Sequence, residues 1–153
     1  QQRQLTPHGS PEILTADLTA MALQLLQWGI SDPLELRWLD APARGAWLQA
    51  LELLDRLGAK TNEATPGLTA HGELMSHLSV SPRLAHMLIR GAAIGEARIA
   101  CVLAGLLSER DPVSTRDEYQ PDIQYRIDVI LGTTPCPPRL SGSRRRVLQL
   151  TDQ

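Results

Sequence analysis

The stretch Leu68–Asp111, LTAHGELMSHLSVSPRLAHMLIRGAAIGEARIACVLAGLLSERD, decides the fold. It divides into three short helices. Thr69 is placed to cap the first, because its hydroxyl can accept from the free amides of a first helical turn. That helix carries Leu74, Met75 and Leu78. Ser81-Pro82 opens the second with a side-chain oxygen, then a residue already held at helical φ. Its apolar residues are Leu84, Met87, Leu88 and Ile89, and Gly91 and Gly95 bracket the break that follows. The third sets Ile99, Val102, Leu103, Leu106 and Leu107 at i, i+3, i+4, i+7 and i+8, a wide apolar stripe. It runs out in the polar cluster Ser108-Glu109-Arg110-Asp111, stopped by Pro112.

Outward from this core the same punctuation recurs. Residues 1–9 read as a polar linker, and Ser10-Pro11 repeats the helix start. Leu14, Leu18, Met21, Leu25 and Trp28 then follow helical spacing, with Gly29 closing the helix. Leu34–Leu39 reads as a short strand or turn. A second helix follows Asp40 and Pro42, with Trp47, Leu48, Leu51, Leu54 and Leu57 on one face and Gly58 at its end. Its outward face offers Arg44, Gln49, Glu52, Asp55 and Arg56, a mixed set poorly suited to reading a DNA groove. In AKTNEATPGLT the middle is rich in turn formers and the ends can pair as a hairpin. Helix, connection, helix and hairpin make the outline of a winged helix over 10–78. Residues 79–132 form a small helical bundle, completed by a helix carrying Ile123, Ile127, Ile130 and Leu131 and ended by Gly132. Residues 133–153 read as a linker, TTPCPPRLSGS, and the start of a further helix. The fold class is mainly α.

Composition narrows the functions. A chain of 153 residues suits one ordinary domain or two small ones. It has no Phe, so Leu, Ala, Ile and Val must build the core. The formal net charge of -2 gives no global basic field, so a nucleic-acid site has to be a local patch. Lys60 is the one lysine among the 15 basic residues; arginine suits bidentate phosphate contacts and stacking, although a GC-rich genome also yields it. Cys101 and Cys136 fit neither a disulfide scaffold nor a metal site. No apolar run approaches ~20 residues, so no membrane partner and a cytoplasmic location are expected. A first residue other than Met is read as a piece of a longer chain.

Catalytic motifs are missing from this sequence. It holds no GxxxxGK[ST] loop and no acidic DEAH-type motif, so no cofactor is expected in this region. His71 and His77 stand six apart, on opposite sides of a helix, without HExxH spacing. Ser108 and His86 make no triad without an acid and an oxyanion hole. The nucleic-acid candidates are Ser108, Glu109 and Arg110, which can hydrogen-bond or stack on a strand. Glu109 and Asp111 weaken any such grip, and a plain helix end explains the cluster equally well. Arg83, Arg90 and Arg98 offer a basic patch, or else an ordinary solvated face. Arg144 and Arg145 open the densest positive run, or else solubilise a helix start.

The run LGA…LTAHGELMSHLSVSPRLAHMLI…IACVLAGLLSERDP resembles the region that follows the motor domains of DEAH-box helicases. Trp28-Gly29 and Trp38-Leu39-Asp40 point to the bacterial HrpB-type branch. The resemblance covers roughly residues 10–131. It implies a winged helix that braces the motor domains, followed by a ratchet-like bundle lining the channel of a single RNA strand. It also implies that ATP and magnesium belong to motor domains upstream of Gln1. The alternative is a free-standing winged-helix regulator of duplex DNA, which calls for a basic recognition helix.

Overall fold

The computed structural model describes residues 12–14, 16–63, 66–108, 122–136, 141, 142, 144, 145 and 148. They form two compact units, Gln1–Ala85 and His86–Gln153. Six α-helices are found among the described residues: α1 (Thr19–Gln27), α2 (Arg44–Arg56), α3 (Ala70–Ser76), α4 (Pro82–Ala93), α5 (Ala97–Ser108) and α6 (Ile123–Leu131). The mainly helical expectation holds.

In the first unit, the single helix expected from Leu14 to Trp28 is broken. A 3-10 turn at Glu12–Leu14 precedes α1, which begins only at Thr19. Asp17 causes the break: its carboxylate accepts from the Thr19 amide at 2.9 Å and from the Thr19 hydroxyl, an arrangement that competes with helix continuation. The two ends of the expected stripe, Leu14 and Trp28, are accordingly exposed, and the buried face is Leu18, Ala22, Leu23, Leu25 and Leu26. The segment after α1 is a 3-10 turn at Pro33–Glu35, capped by Asp32, and not a strand. Trp38 closes it by donating its indole N–H to the Pro33 carbonyl at 2.6 Å.

Helix α1 packs against α2 and α3. Trp47, Ala50 and Leu54 of α2 are buried, while Leu48, expected on the same face, is exposed. From α3 the core takes Met75; Leu74 and Leu78 stay outside. Leu54 and Met75 are wholly inaccessible to solvent, each worth about 1.5–3 kcal/mol of burial.

The end of α2, the hairpin and the start of α3 form one clasp. Gly58, at φ +68, donates to the Asp55 carbonyl, and Ala59 donates to that of Leu54. This is the left-handed closure that glycine makes without steric cost. The expected hairpin is a single antiparallel bridge, Lys60 to Leu68, with the Thr61 amide on the Gly67 carbonyl. Thr69 then works in both directions. Its hydroxyl donates to the Gly58 carbonyl at 2.6 Å and accepts from the Gly72 amide at 3.0 Å, which is the cap the sequence predicts. Gly72 lies so near the Ala59 carbonyl that a Cβ would fall 2.1 Å from its oxygen.

In the second unit, Gly91 does not bracket the break after α4; it lies inside the helix, and only Gly95 ends it. Gly91 is small for packing, since a Cβ there would stand 2.6 Å from that of Ala100 on α5. The Gly95 and Glu96 amides return to the carbonyls of Ala92 and Gly91, and α5 starts at once. Its buried face is Ala100, Val102, Ala104, Gly105 and Leu106; Ile99 and Leu107 of the expected stripe are exposed. Helix α6 starts on an Asp122 cap to the Gln124 amide and ends at Gly132, the end that the sequence indicates. Val102, Leu106, Ile127 and Ile130 form the core between α5 and α6, with Leu103, Leu131 and Leu148 packed on it.

Candidate nucleic-acid interface

The tight turn at residues 94–96 brings Arg90, in the last turn of α4, and Arg98, in the first turn of α5, to the same end of this helix pair. Both side chains are exposed. Ser108 is also exposed but closes the other end of α5, ten residues and about 15 Å along the axis from Arg98. Arg90 and Arg98 therefore share one end of the α4–α5 pair, and Ser108 lies at the other end of α5. Leu107, beside Ser108, is 59% exposed and gives that end an apolar neighbour a base could cover. Glu109 and Arg110 lie outside the described residues.

The remaining candidates separate. Arg83 is exposed in the first unit, where it lines a groove of about 630 Å³ with Asp17, Gln49, Glu52 and Arg56. The Thr19 hydroxyl and amide, and then the Arg83 charge, hold the Asp17 carboxyl below its ordinary range. Sequence reasoning missed this groove, because its residues come from three distant segments; the Asp17-x-Thr19 turn was the available signal. Arg145 is exposed. Arg144 is half-buried and donates its Nε–H to the Ile130 carbonyl at the end of α6, at 3.1 Å. Arg126, which sequence reasoning did not single out, is buried and reaches the Asp122 carbonyl at 3.5 Å.

The outward face of α2 is as expected, with Arg44, Gln49, Glu52, Asp55 and Arg56 all exposed. Arg56 pairs with Glu52 at 2.6 Å and Lys60 with Asp55 at 3.7 Å. The exposed Arg56–Glu52 pair contributes little stability, but both pairs offset the local field that duplex DNA would need. His71 and His86 are half-buried and His77 exposed; among the described residues no three His, Cys, Asp or Glu side chains converge on a metal position. No helix among them is long and apolar enough to cross a membrane.

Helices α1–α3 with a one-bridge wing, continued by α4–α6, define a winged-helix-and-bundle segment of the kind found in helicases. Comparison with known proteins makes the class specific. The chain is 38% identical over 117 residues to the ATP-dependent RNA helicase HrpB of Escherichia coli strain K12, covering 76% of this chain and 14% of that protein. It is 33% identical over 105 residues to HrpA of the same strain, covering 67% and 8%. The crystal structure of E. coli HrpB superposes with a TM-score of 0.68 at 32% identity, over 95% of this chain and 16% of the other. No family model matches. In sequence and fold the chain belongs to the helical region of DEAH-box helicases, and within them to the HrpB type. It spans about a seventh of the length of HrpB.

Proposed function

We propose that the chain is the accessory helical region of a cytoplasmic ATP-dependent RNA helicase, bracing its motor domains and guiding a single RNA strand. The observation that carries this is the match to HrpB in both sequence and fold, the fold match extending over 95% of the chain. Residues 10–78 brace, residues 79–132 guide the strand, and residues 133–153 lead onward. Charge supports the division. Residues 10–78 hold four basic and nine acidic side chains, residues 79–132 six and seven, and residues 133–153 four and one. The Arg56–Glu52 and Lys60–Asp55 pairs lie in the first unit, and among the described residues no carboxylate pairs with Arg90, Arg98 or Arg145.

ATP and magnesium would be held by the motor domains, and this chain's residues take no step with either. Their part is passive. Arg90 and Arg98 offer guanidinium groups to phosphate at one end of the α4–α5 pair; Ser108, Glu109 and Arg110 touch the strand at the other. Arg145 adds a further cation. Arg83 contributes least, because Asp17 and Glu52 share its surroundings. The charge-paired face of α2 weighs against a duplex-DNA regulator.

Fluorescence anisotropy with a short oligonucleotide tests the reading. Single-stranded RNA should bind weakly, neutralising ~2–3 phosphates, so log affinity should fall against log salt with a slope of about -1.4 to -2.1. Arg110→Ala should weaken binding by ~1 kcal/mol with unchanged circular dichroism. Tighter binding to duplex DNA than to single-stranded RNA would sink the proposal.

A further inference from the structure

A helix leaves its last carbonyls without partners, and those of α6 are satisfied by two different routes. The Asp128 carbonyl gathers the amides of Gly132, Thr133 and Thr134 and the Thr133 hydroxyl. The Ile130 carbonyl is reached instead by the Nε–H of Arg144, fourteen residues on. Ile130 itself is 1% exposed, so that carbonyl belongs to a core residue. Gly132 makes the approach possible: a Cβ there would stand 2.9 Å from Nη2 of Arg144. Four residues further, Leu148 packs on the cluster of Val102, Leu106, Ile127 and Ile130.

We infer that the segment around Arg144–Leu148 is a strap that closes the α5–α6 pair, with Arg144 as its hook and Leu148 as its plug. A guanidinium at a helix C-terminus also meets the negative end of the backbone dipole, so the hook is held by charge as well as by one hydrogen bond. The triple-arginine run is thereby divided in labour. Arg144 is a positioning residue turned inward, and Arg145 remains exposed for solvent or a polyanion. The strap does not depend on whether the surface carries RNA.

Hydrogen exchange and thermal unfolding of the 153-residue chain test it. Arg144→Ala should strip protection from the amides around 144–148 and from the last turn of α6, and lower Tm by about 3 °C. Arg145→Ala should change neither. Gly132→Ala should lower Tm further in the parent than in the Arg144→Ala background, because part of its harm is the collision with the guanidinium. If Arg144→Ala fails to fold, Leu148→Ala takes its place, and loss of protection around Arg144 with α1–α5 still protected remains the expected result. Unchanged exchange in both variants, or strictly additive losses for Gly132→Ala and Arg144→Ala, overturns the strap.

Discussion

The two units differ in how far along the chain they reach to close a helix end. In the first, everything needed is local: Gly58, Ala59, Thr69 and Gly72 lie within fifteen residues and hand hydrogen bonds to one another. In the second, α6 has a local closure on the Asp128 carbonyl, but its Ile130 carbonyl takes a side chain from beyond the TTPCPPRLSGS segment. Their cores differ in the same sense. The first buries Trp47, Leu54 and Met75 among α1–α3, whereas the second rests on four aliphatic residues between α5 and α6. A unit whose ends and core are supplied nearby is expected to resist perturbation of distant sequence, and the other is expected to respond to it.

The largest effect should come from the core. Leu54→Ala removes a side chain with no solvent access and should cost about 3 kcal/mol in urea unfolding, against about 1 kcal/mol for Ile130→Val in the second unit. Equal stability of Leu54→Ala and the parent would break the contrast. Next come the two close approaches. Gly72→Ala drives a Cβ into the Ala59 backbone, which the clasp holds on both sides, and should cost about 2–3 kcal/mol. Gly91→Ala brings a Cβ to 2.6 Å from the Ala100 methyl, so α4 and α5 must part slightly, while alanine is the better helix former; the net loss should be about 1 kcal/mol. A greater loss at Gly91 than at Gly72 would reverse the assignment of the rigid unit.

The smallest effect concerns acid. Asp17 titrates lower in the folded chain than in the unfolded one, chiefly because the Thr19 hydroxyl bonds its charged form. Its contribution is complete above the ordinary aspartate range, near pH 4, and fades as pH falls through the depressed value. Tm measured between pH 5 and about pH 2 should fall less steeply in Asp17→Asn than in the parent. Parallel curves would remove Asp17 from the first unit's account.

Much of this was legible in the residues. Thr69 as a cap, glycines 29, 58 and 132 as helix ends, and the pairing across 60–68 all depend on neighbours in sequence, which is where propensity and capping operate. The buried faces were less legible. Leu48, Leu74 and Leu107 turn outward while Ala22, Ala50, Ala85 and Ala100 are buried. In a chain this rich in leucine, periodicity marks apolar residues on several faces. Which face is covered is decided by where helices cross closely, and there alanine fits. Of the candidate site, the location of Arg90 and Arg98 at one end of two helices follows from the turn between them. The commitment of Arg144 to Ile130 could not be read, because nothing local links positions fourteen apart.

The clasp at Ala59 and Thr69 has a consequence for how the first unit can vary. The chain leaves α2 and enters α3 through atoms bonded to each other, so the excursion from Lys60 to Leu68 is anchored at its two feet and carries no strain from one helix to the next. The length of that excursion is a free dimension of the molecule. Doubling it costs only about 0.6 kcal/mol of closure entropy, so residues added between Thr61 and Gly67 lengthen the reach of the wing while α1–α3 keep their packing.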